Sequence, residues 1–273
     1  MTVDGGGSIH LQARRLTAAG AELRDEVVAE EVAVALVYNG ISHAVMMATP
    51  CDLEDFARGF TLTEHLVESP SEIYDIEVED RRAQFGGRGI EVQLRIANQR
   101  MAALQERRRS LAGRTGCGLC GVDSLDAALR PVPATRATAK VSHAAITRAM
   151  AALPGEQRIN RLNGATHAAG WAAANGTLLA VREDVGRHNA LDKLAGALAG
   201  RDRGGDGGFV VVTSRCSYEM VQKAAAIDAA AIAAVSAPTS LAIETAEQAG
   251  LALVAFVRDN RLTVYAHGER IEA

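Results

Sequence analysis

Aromatic side chains are scarce in this chain: one Trp, four Tyr and five Phe make up 4% of its 273 residues. Its 48% hydrophobic content therefore leans on alanine and aliphatic residues, a composition that suits helices packed closely on a sheet through small side chains. A basic excess is missing too. The net charge is −4, so no overall positive field recruits nucleic acid, although Arg107–Arg109 and Arg201–Arg203 can gather an anion locally. Long hydrophobic runs are absent. The longest charge-free stretch, Leu162–Val181, is interrupted by Asn163, Gly164, His167, Gly170, Asn175 and Gly176, and Ala229–Ile243 is short and holds Pro238; a membrane-spanning helix needs about 20 apolar residues. Met1–Gly7 has no apolar export-signal core. With only four cysteines, the expectation is a cytoplasmic protein with reduced thiols and no membrane contact. No internal repeat is visible, and low complexity is confined to Ala-rich helices and the Gly/Asp-rich loop Gly204–Gly208.

Against these absences stands Gly113-Arg114-Thr115-Gly116-Cys117-Gly118-Leu119-Cys120-Gly121, which holds two of the cysteines and four glycines in nine residues. Each glycine costs a helix or strand interior roughly 0.5–1 kcal/mol relative to alanine, so the segment reads as a thiol-bearing loop. A thiolate needs neighbouring positive charge or amide dipoles. Arg114, the upstream Arg107-Arg108-Arg109 and the glycine N–H groups can supply both. The plain alternative is a turn with two small buried thiols, but in a reducing compartment Cys-x-x-Cys is more often metal-binding or reactive. Cys51, alone at a strand-to-helix corner, reads as a small buried residue.

The remaining chain divides by pattern. Residues 1–22 are Gly-rich and polar with little periodicity, and predict a loose leader. Val27–Val37 and Ile41–Ala48 read as strands joined at Asn39-Gly40, the strongest short hairpin signal. Asp52 is placed to cap a helix through His65, with Leu53, Phe56 and Phe60 on one face. Ile73–Glu79 and Ile90–Ile96 alternate as strands, and Asn98 opens a helix through about Ser110 that leads into the thiol loop. A short helix, Ser124–Leu129, precedes the linker Pro131-Val132-Pro133. Val141–Leu153 then reads as a helix. Strands at Leu178–Val181, Phe209–Val212, Ile232–Val235, Leu251–Val257 and Leu262–Tyr265 alternate with helices at Asn189–Leu198, Ser217–Ala230 and Thr239–Ala249. Such alternation predicts an α/β unit with a mixed, mostly parallel sheet, over 131–273. A smaller α+β subdomain would occupy 23–130 and end in the thiol loop.

Ligands in such sheets sit beyond the carboxyl ends of the strands, and polar clusters fall there. Arg182-Glu183-Asp184-Val185-Gly186-Arg187-His188-Asn189 opens a helix, where Arg187 and His188 beside free N–H groups would suit an anion; a capped helix with solvated charges is the alternative. Thr213-Ser214-Arg215-Cys216-Ser217 repeats that layout with Arg215. Ser236-Ala237-Pro238-Thr239-Ser240 reads as plain capping. Phe256-Val257-Arg258-Asp259-Asn260-Arg261 can bind phosphate and a purine edge together, or be an ordinary charged turn. His167 stands alone among small residues, structural or reactive.

Taken in order and spacing, Tyr38-Asn39-Gly40, Met47-Ala48-Thr49-Pro50 with Asp52-Leu53, Gly116–Gly121, Arg182–Lys193, Ser217-Tyr218-Glu219-Met220 and Ser236–Ser240 resemble the formate dehydrogenase accessory sulfurtransferases, the FdhD family, over about residues 30–270. Arg182–Lys193 is the most specific piece. Asn163-Gly164-Ala165-Thr166 before His167 and Thr213-Ser214-Arg215 depart from the family's usual Thr-Gly-Gly and Ser-Gly-Arg. The resemblance implies a cytidine-deaminase-like three-layer core without the deaminase's metal. It implies a sulfurtransferase that takes sulfur from a cysteine desulfurase as a persulfide on Cys117, with Cys120 next to it. The sulfur passes to the molybdenum bis(molybdopterin guanine dinucleotide) cofactor that formate dehydrogenase needs. It further implies a homodimer, with Phe256, Val257, Arg258, Asp259, Asn260 and Arg261 as the cofactor-binding stretch. Arg187, His188, Arg215 and His167 would stand beside it, and GDP or a related guanine nucleotide would fit the same place. Three other readings compete: a non-catalytic chaperone for the cofactor, a zinc deaminase and a thioredoxin-like oxidoreductase. A deaminase would show His-x-Glu with Pro-Cys-x-x-Cys; here Gly116 precedes Cys117 and Ala168-Ala169 follow His167. The oxidoreductase reading lacks a strand before the Cys-x-x-Cys and a clear helix after it.

Overall fold

The computed structural model describes residues 2–4, 6–82, 87–101, 104, 132–200 and 208–273. It begins with a three-stranded antiparallel sheet, β1 (Thr2–Asp4), β2 (Ser8–Thr17) and β3 (Gly20–Ala29). This corrects the expectation of a loose leader over 1–22. β2 and β3 pair residue for residue from Ser8↔Ala29 to Thr17↔Gly20. Positions 14–25 of this hairpin are exposed on both faces, so no apolar alternation marks it.

Next come β4 (Val32–Tyr38), β5 (Ile41–Ala48), α1 (Leu53–Thr63), β6 (Ile73–Arg82) and β7 (Arg88–Ile96), with sheet order β5-β4-β7-β6. Asn39 and Gly40 hold φ of 46° and 81°, the paired positive values that a type I′ turn requires. Asn39 also fastens β7: its Oδ1 accepts from Ile96 N at 2.9 Å and its Nδ2 donates to Ile96 O at 3.0 Å. One face of the sheet buries Val34, Leu36, Val92 and Leu94 against Phe56 and Phe60 of α1. Asp52 precedes α1 as expected but sits in the left-handed region, φ 51°, and its side chain caps nothing. After β7 a single 3-10 turn, Asn98–Arg100, is followed by helical Met101 and Leu104; the rest of the helix expected to Ser110, and that at Ser124–Leu129, lie outside the described residues.

The larger unit runs β8 (Val141–Ser142), α2 (His143–Glu156), α3 (Asn160–Asn163), β9 (His167–Ala172), β10 (Leu178–Asp184), α4 (Arg187–Leu198), β11 (Phe209–Val212), α5 (Tyr218–Ala226), β12 (Ala231–Ala234), α6 (Ser240–Ala249), β13 (Ala252–Arg258), β14 (Arg261–Ala266) and β15 (Ile271–Glu272). Its six-stranded sheet has the order β10-β9-β11-β12-β13-β14. α4, α5 and α6 bury Leu191, Leu194, Val221 and Ala246 on one face, and α2 buries Ile146, Ala149 and Leu153 on the other. The result is three layers. The sheet is mixed but not mostly parallel, which is a second correction: β11, β12 and β13 are parallel, while β9–β10, β9–β11 and β13–β14 are antiparallel. Hairpins at 173–177 and 259–260 make β9–β10 and β13–β14 antiparallel, and β9, lying between β10 and β11, is antiparallel to β11 as well. β9 escaped the sequence reading because His167-Ala168-Ala169-Gly170-Trp171-Ala172 carries no β-branched residue. Gly170 is used for close packing: a Cβ there would lie 3.0–3.2 Å from Val211, Leu178 and Leu153.

The two units meet where α1 crosses α4. At Gly59 a Cβ would stand 1.7 Å from Asp192 O, and at Gly196 1.9 Å from Asp55 O. Backbone lies directly on backbone. Among the described residues no helix is long and apolar enough to cross a membrane.

Candidate functional site

Strand order decides which polar clusters converge. β11, β12 and β13 run parallel side by side, so their carboxyl ends at Val212, Ala234 and Arg258 share one edge. β9 runs the other way and starts there, with Ala169 opposite Val212 and His167 opposite Asp184, the last residue of β10. His167, the α4 start with Arg187 and His188, the α5 start with Arg215, and Phe256–Arg261 therefore all lie along this edge. It is where open α/β sheets bind ligands.

The start of α4 is built from inside the protein. Asp184, fully buried, accepts from Gly186 N at 2.8 Å and Asn189 Nδ2 at 3.0 Å through Oδ1. Its Oδ2 accepts from Thr49 N at 3.0 Å and pairs with Lys193 Nζ at 2.7 Å, both side chains being 0% exposed. Gly186 supplies the N-cap position with no side-chain bond, so the first turn's amides are left without a capping acceptor. Arg187 projects from that turn, and its Nε is buried with no hydrogen-bond partner. His188 Nε2 pairs with Glu219 Oε2 at 2.7 Å and lies 3.5 Å from Ser217 Oγ, linking the starts of α4 and α5. Burial and the Arg187 charge, with a smaller contribution from His188, push the His167 imidazole below its ordinary value. His167 is thus set up as a neutral side chain beside a cation.

At the start of α5, Ser217 occupies the N-cap position without a side-chain cap bond; the expected cap is positional only. Arg215 is exposed at the corner while Cys216 beside it is fully buried, its thiol pushed up to about 12 by burial. The next corner is different: Thr239 caps α6 by accepting from Ala242 N at 3.3 Å, as plain capping predicts. The last cluster is a tight hairpin. Phe256, Asp259 and Asn260 have φ of 53°, 48° and 59°, and a bulge lies between Ala255 and Arg258. Phe256 is 46% exposed and Val257 buried; Arg258, Asp259, Asn260 and Arg261 are exposed. Arg258 Nε donates to Val235 O at 3.2 Å, and His143 Nε2 donates to Asn260 O at 3.2 Å. An exposed aromatic ring and two exposed guanidinium groups thus stand on a hairpin whose backbone is tied to the neighbouring strand end and to α2.

A cleft of about 610 Å³ opens beside the edge strand β10, lined among others by Cys51, Asp52, Arg158, Ile159, Leu179 and Arg182. It does not include Arg187, His188, Arg215 or the hairpin. Convergent polar groups, rather than this hollow, mark the chemistry. Cys51 is half-buried and 3.7 Å from Lys193 Nζ; burial pushes its thiol up to about 11 despite that ammonium, which disfavours the thiolate. Among the described residues no cluster of three His, Cys, Asp or Glu side chains could hold a metal ion. Cys117 and Cys120 lie outside the described residues. The support from Thr49 was not foreseen, because a threonine at a strand end carries no signal of what its backbone will meet. The sequence did offer a trace of Asp184, as one carboxylate of the charged cluster Arg182–Asn189 that follows the apolar run Leu178–Val181.

A family model described as the FdhD/NarQ family matches residues 29–272. A protein of Cupriavidus necator named sulfur carrier protein FdhD is 55% identical over 250 residues, which is 92% of this chain and 85% of its own length. One of that name from Bordetella petrii is 52% identical over 92% of this chain and 89% of its own, and one from Xanthomonas campestris is 47% identical over 97% and 93%. Among solved structures, a crystal structure described as that of a formate dehydrogenase accessory protein from Desulfotalea psychrophila superposes with a TM-score of 0.70. It is 25% identical and covers 97% of this chain and 99% of that one.

Proposed function

The chain belongs to the FdhD/NarQ family, and on that premise we propose that it is a sulfur carrier for formate dehydrogenase, taking sulfur from a cysteine desulfurase and passing it to the molybdenum bis(molybdopterin guanine dinucleotide) cofactor. The cofactor is the cargo's destination and is held as a substrate. Cys117 is the carrier atom's site. Its thiolate attacks the outer sulfur of the donor's cysteine persulfide, the donor thiolate leaves, and Cys117 holds S–SH. Releasing that sulfur as hydrosulfide takes two electrons. Cys120 supplies them by attacking the inner sulfur: a Cys117–Cys120 disulfide forms, HS⁻ departs towards molybdenum, and exchange with a cellular dithiol restores both thiols.

The observation that carries the binding half of this reading is the unpartnered, buried Arg187 Nε at the uncapped start of α4. A buried donor without an acceptor costs roughly 1–3 kcal/mol, and a diphosphate oxygen would satisfy it together with the helix amides. Arg215, Arg258 and Arg261 add charge along the same edge, His167 and His188 offer ring nitrogens, and the Phe256 ring with Asp259 and Asn260 suits a guanine base. GDP should bind in the cofactor's place. We further read the three-layer core as the cytidine-deaminase-like arrangement, and the working form as a cytoplasmic homodimer.

Incubation with a desulfurase and cysteine should add the mass of one sulfur to a peptide containing Cys117, removable by reductant. Cys117→Ala should lose that adduct and fail to mature formate dehydrogenase while GDP still binds. Full maturation by Cys117→Ala would instead mark a chaperone that only shields the cofactor, and end the carrier reading.

A further inference from the structure

The strand-end site is not built by the larger unit alone. Four hydrogen bonds and an ion pair join the turn that carries Arg187 and His188 to the end of β5 and to Lys193. Thr49, fully buried, uses every polar atom it has. Its N donates to Asp184 Oδ2 at 3.0 Å, its Oγ1 accepts from Val185 N at 3.1 Å, and its O accepts from Lys193 Nζ at 3.0 Å. Two residues earlier, Met47 O accepts from Asn189 Nδ2 at 2.8 Å. Asp184 completes the frame by holding Gly186 N and Asn189 Nδ2 from below and Lys193 from the side. Every one of these bonds fixes backbone or a side chain within four residues of Arg187 or on the next turn of its helix. The amides of the first turn are left clear: of the backbone N–H groups at the α4 start, Asp184 takes the one on Gly186, ahead of the helix.

We propose that Thr49 and Asp184 are positioning residues for the nucleotide-binding edge: through Val185, Gly186 and Asn189 they set the α4 start so that Arg187 and its free amides face the phosphates. The inference rests on the nucleotide reading given above and adds to it that the smaller unit, through β5, is part of the binding site's frame. A merely stabilising contact would matter to melting alone; a frame matters to affinity at constant fold.

The discriminating pair is Thr49→Val, which keeps shape and removes the Oγ1 acceptor, and Thr49→Ser, which keeps it. GDP is titrated into each full-length protein, and amide exchange is followed at Val185–His188. Thr49→Val should bind GDP about tenfold more weakly, the scale of one hydrogen bond's free energy, with faster exchange confined to Val185–His188. Thr49→Ser should match the wild type in both. Wild-type GDP affinity in a folded Thr49→Val protein, or Thr49→Ser no better than Thr49→Val, overturns the proposal. Should the wild type not bind GDP at all, the nucleotide reading fails instead, and exchange still decides: unchanged protection at Val185–His188 in Thr49→Val overturns the frame, and local loss restored by serine upholds it. If Thr49→Val does not fold, Asp184→Asn combined with Lys193→Met, which removes both buried charges together, takes the same two readouts and the same criteria.

Discussion

Single residues at the strand edge trade stability for readiness to bind. Arg187 Nε has no partner to lose, so Arg187→Met should leave the melting temperature unchanged or raise it while weakening GDP binding at least tenfold; calorimetry beside a titration checks both. A melting temperature that falls with binding intact would show the guanidinium to be structural. His167 makes the opposite kind of statement, about pH. Its folded value is depressed by burial and by Arg187, so between that value and the ordinary one of about 6.5 the unfolded chain binds the extra proton. Stability must then rise with pH through this window and fall on acidification below about pH 6.5. His167→Gln should flatten that part of the melting profile; an identical slope in the variant would remove His167 from the account. In the sequence Arg187 was readable as a charge after an apolar strand and His167 as a lone histidine among small residues. Their roles were not, because a depressed histidine and an orphaned guanidinium are made by neighbours that arrive from other elements.

At the level of elements, legibility followed hydrophobic period. β11, Phe209–Val212, emerged at its expected bounds because its four apolar, mostly β-branched residues are all buried, and α6 was bounded by Thr239 and Gly250, a side-chain cap and a left-handed stop. β9 and the β2–β3 hairpin were missed for converse reasons, one built of small residues and the other exposed on both faces. The α1–α4 crossing was equally silent, since a glycine inside a helical pattern says nothing of what passes over it. Its test is direct. Gly59→Ala would drive a methyl to within 1.7 Å of Asp192 O, which only a shift of one helix can relieve. Overpacking of this kind costs about 3 kcal/mol or more, or roughly 10 °C of melting temperature in a chain of this size. Gly155→Ala, inside α2 where a Cβ would meet nothing within 4 Å, is the control and should melt no lower than the wild type, since alanine is the better helix former.

Across the whole molecule, the cores of the two units are bound by buried polar groups as well as by that crossing. Lys223 Nζ, on α5, pairs with Asp192 Oδ1 of α4 and with Glu64 Oε1 just past α1, each at 2.9 Å, and donates to Thr63 Oγ1 at 3.1 Å. Thr63 Oγ1 in turn donates to Asp192 Oδ1 at 2.6 Å. Burial alone would lower the Lys223 ammonium, yet Asp192 and Glu64 hold it above its ordinary value, whereas on Asp192 burial is the larger influence and raises the carboxyl even with the ammonium beside it. Lys223→Met should therefore cost about 3–5 kcal/mol, the usual loss when one partner of a buried pair is left alone. The Asp192 carboxyl is already raised by burial; without the ammonium only the Thr63 hydroxyl opposes that burial, and the carboxyl rises further. A group whose folded value is raised contributes its stability at low pH and loses it as pH rises, so the defect should deepen between about pH 4 and 7. Adding Asp192→Asn to Lys223→Met removes the stranded charge and should recover much of the loss at pH 7 and little at pH 4. Because the network belongs to both units, calorimetry should show the single variant melting in one transition. Two separated transitions, with the β4–β7 sheet surviving the other, would mean that the units fold independently and that their contact is incidental.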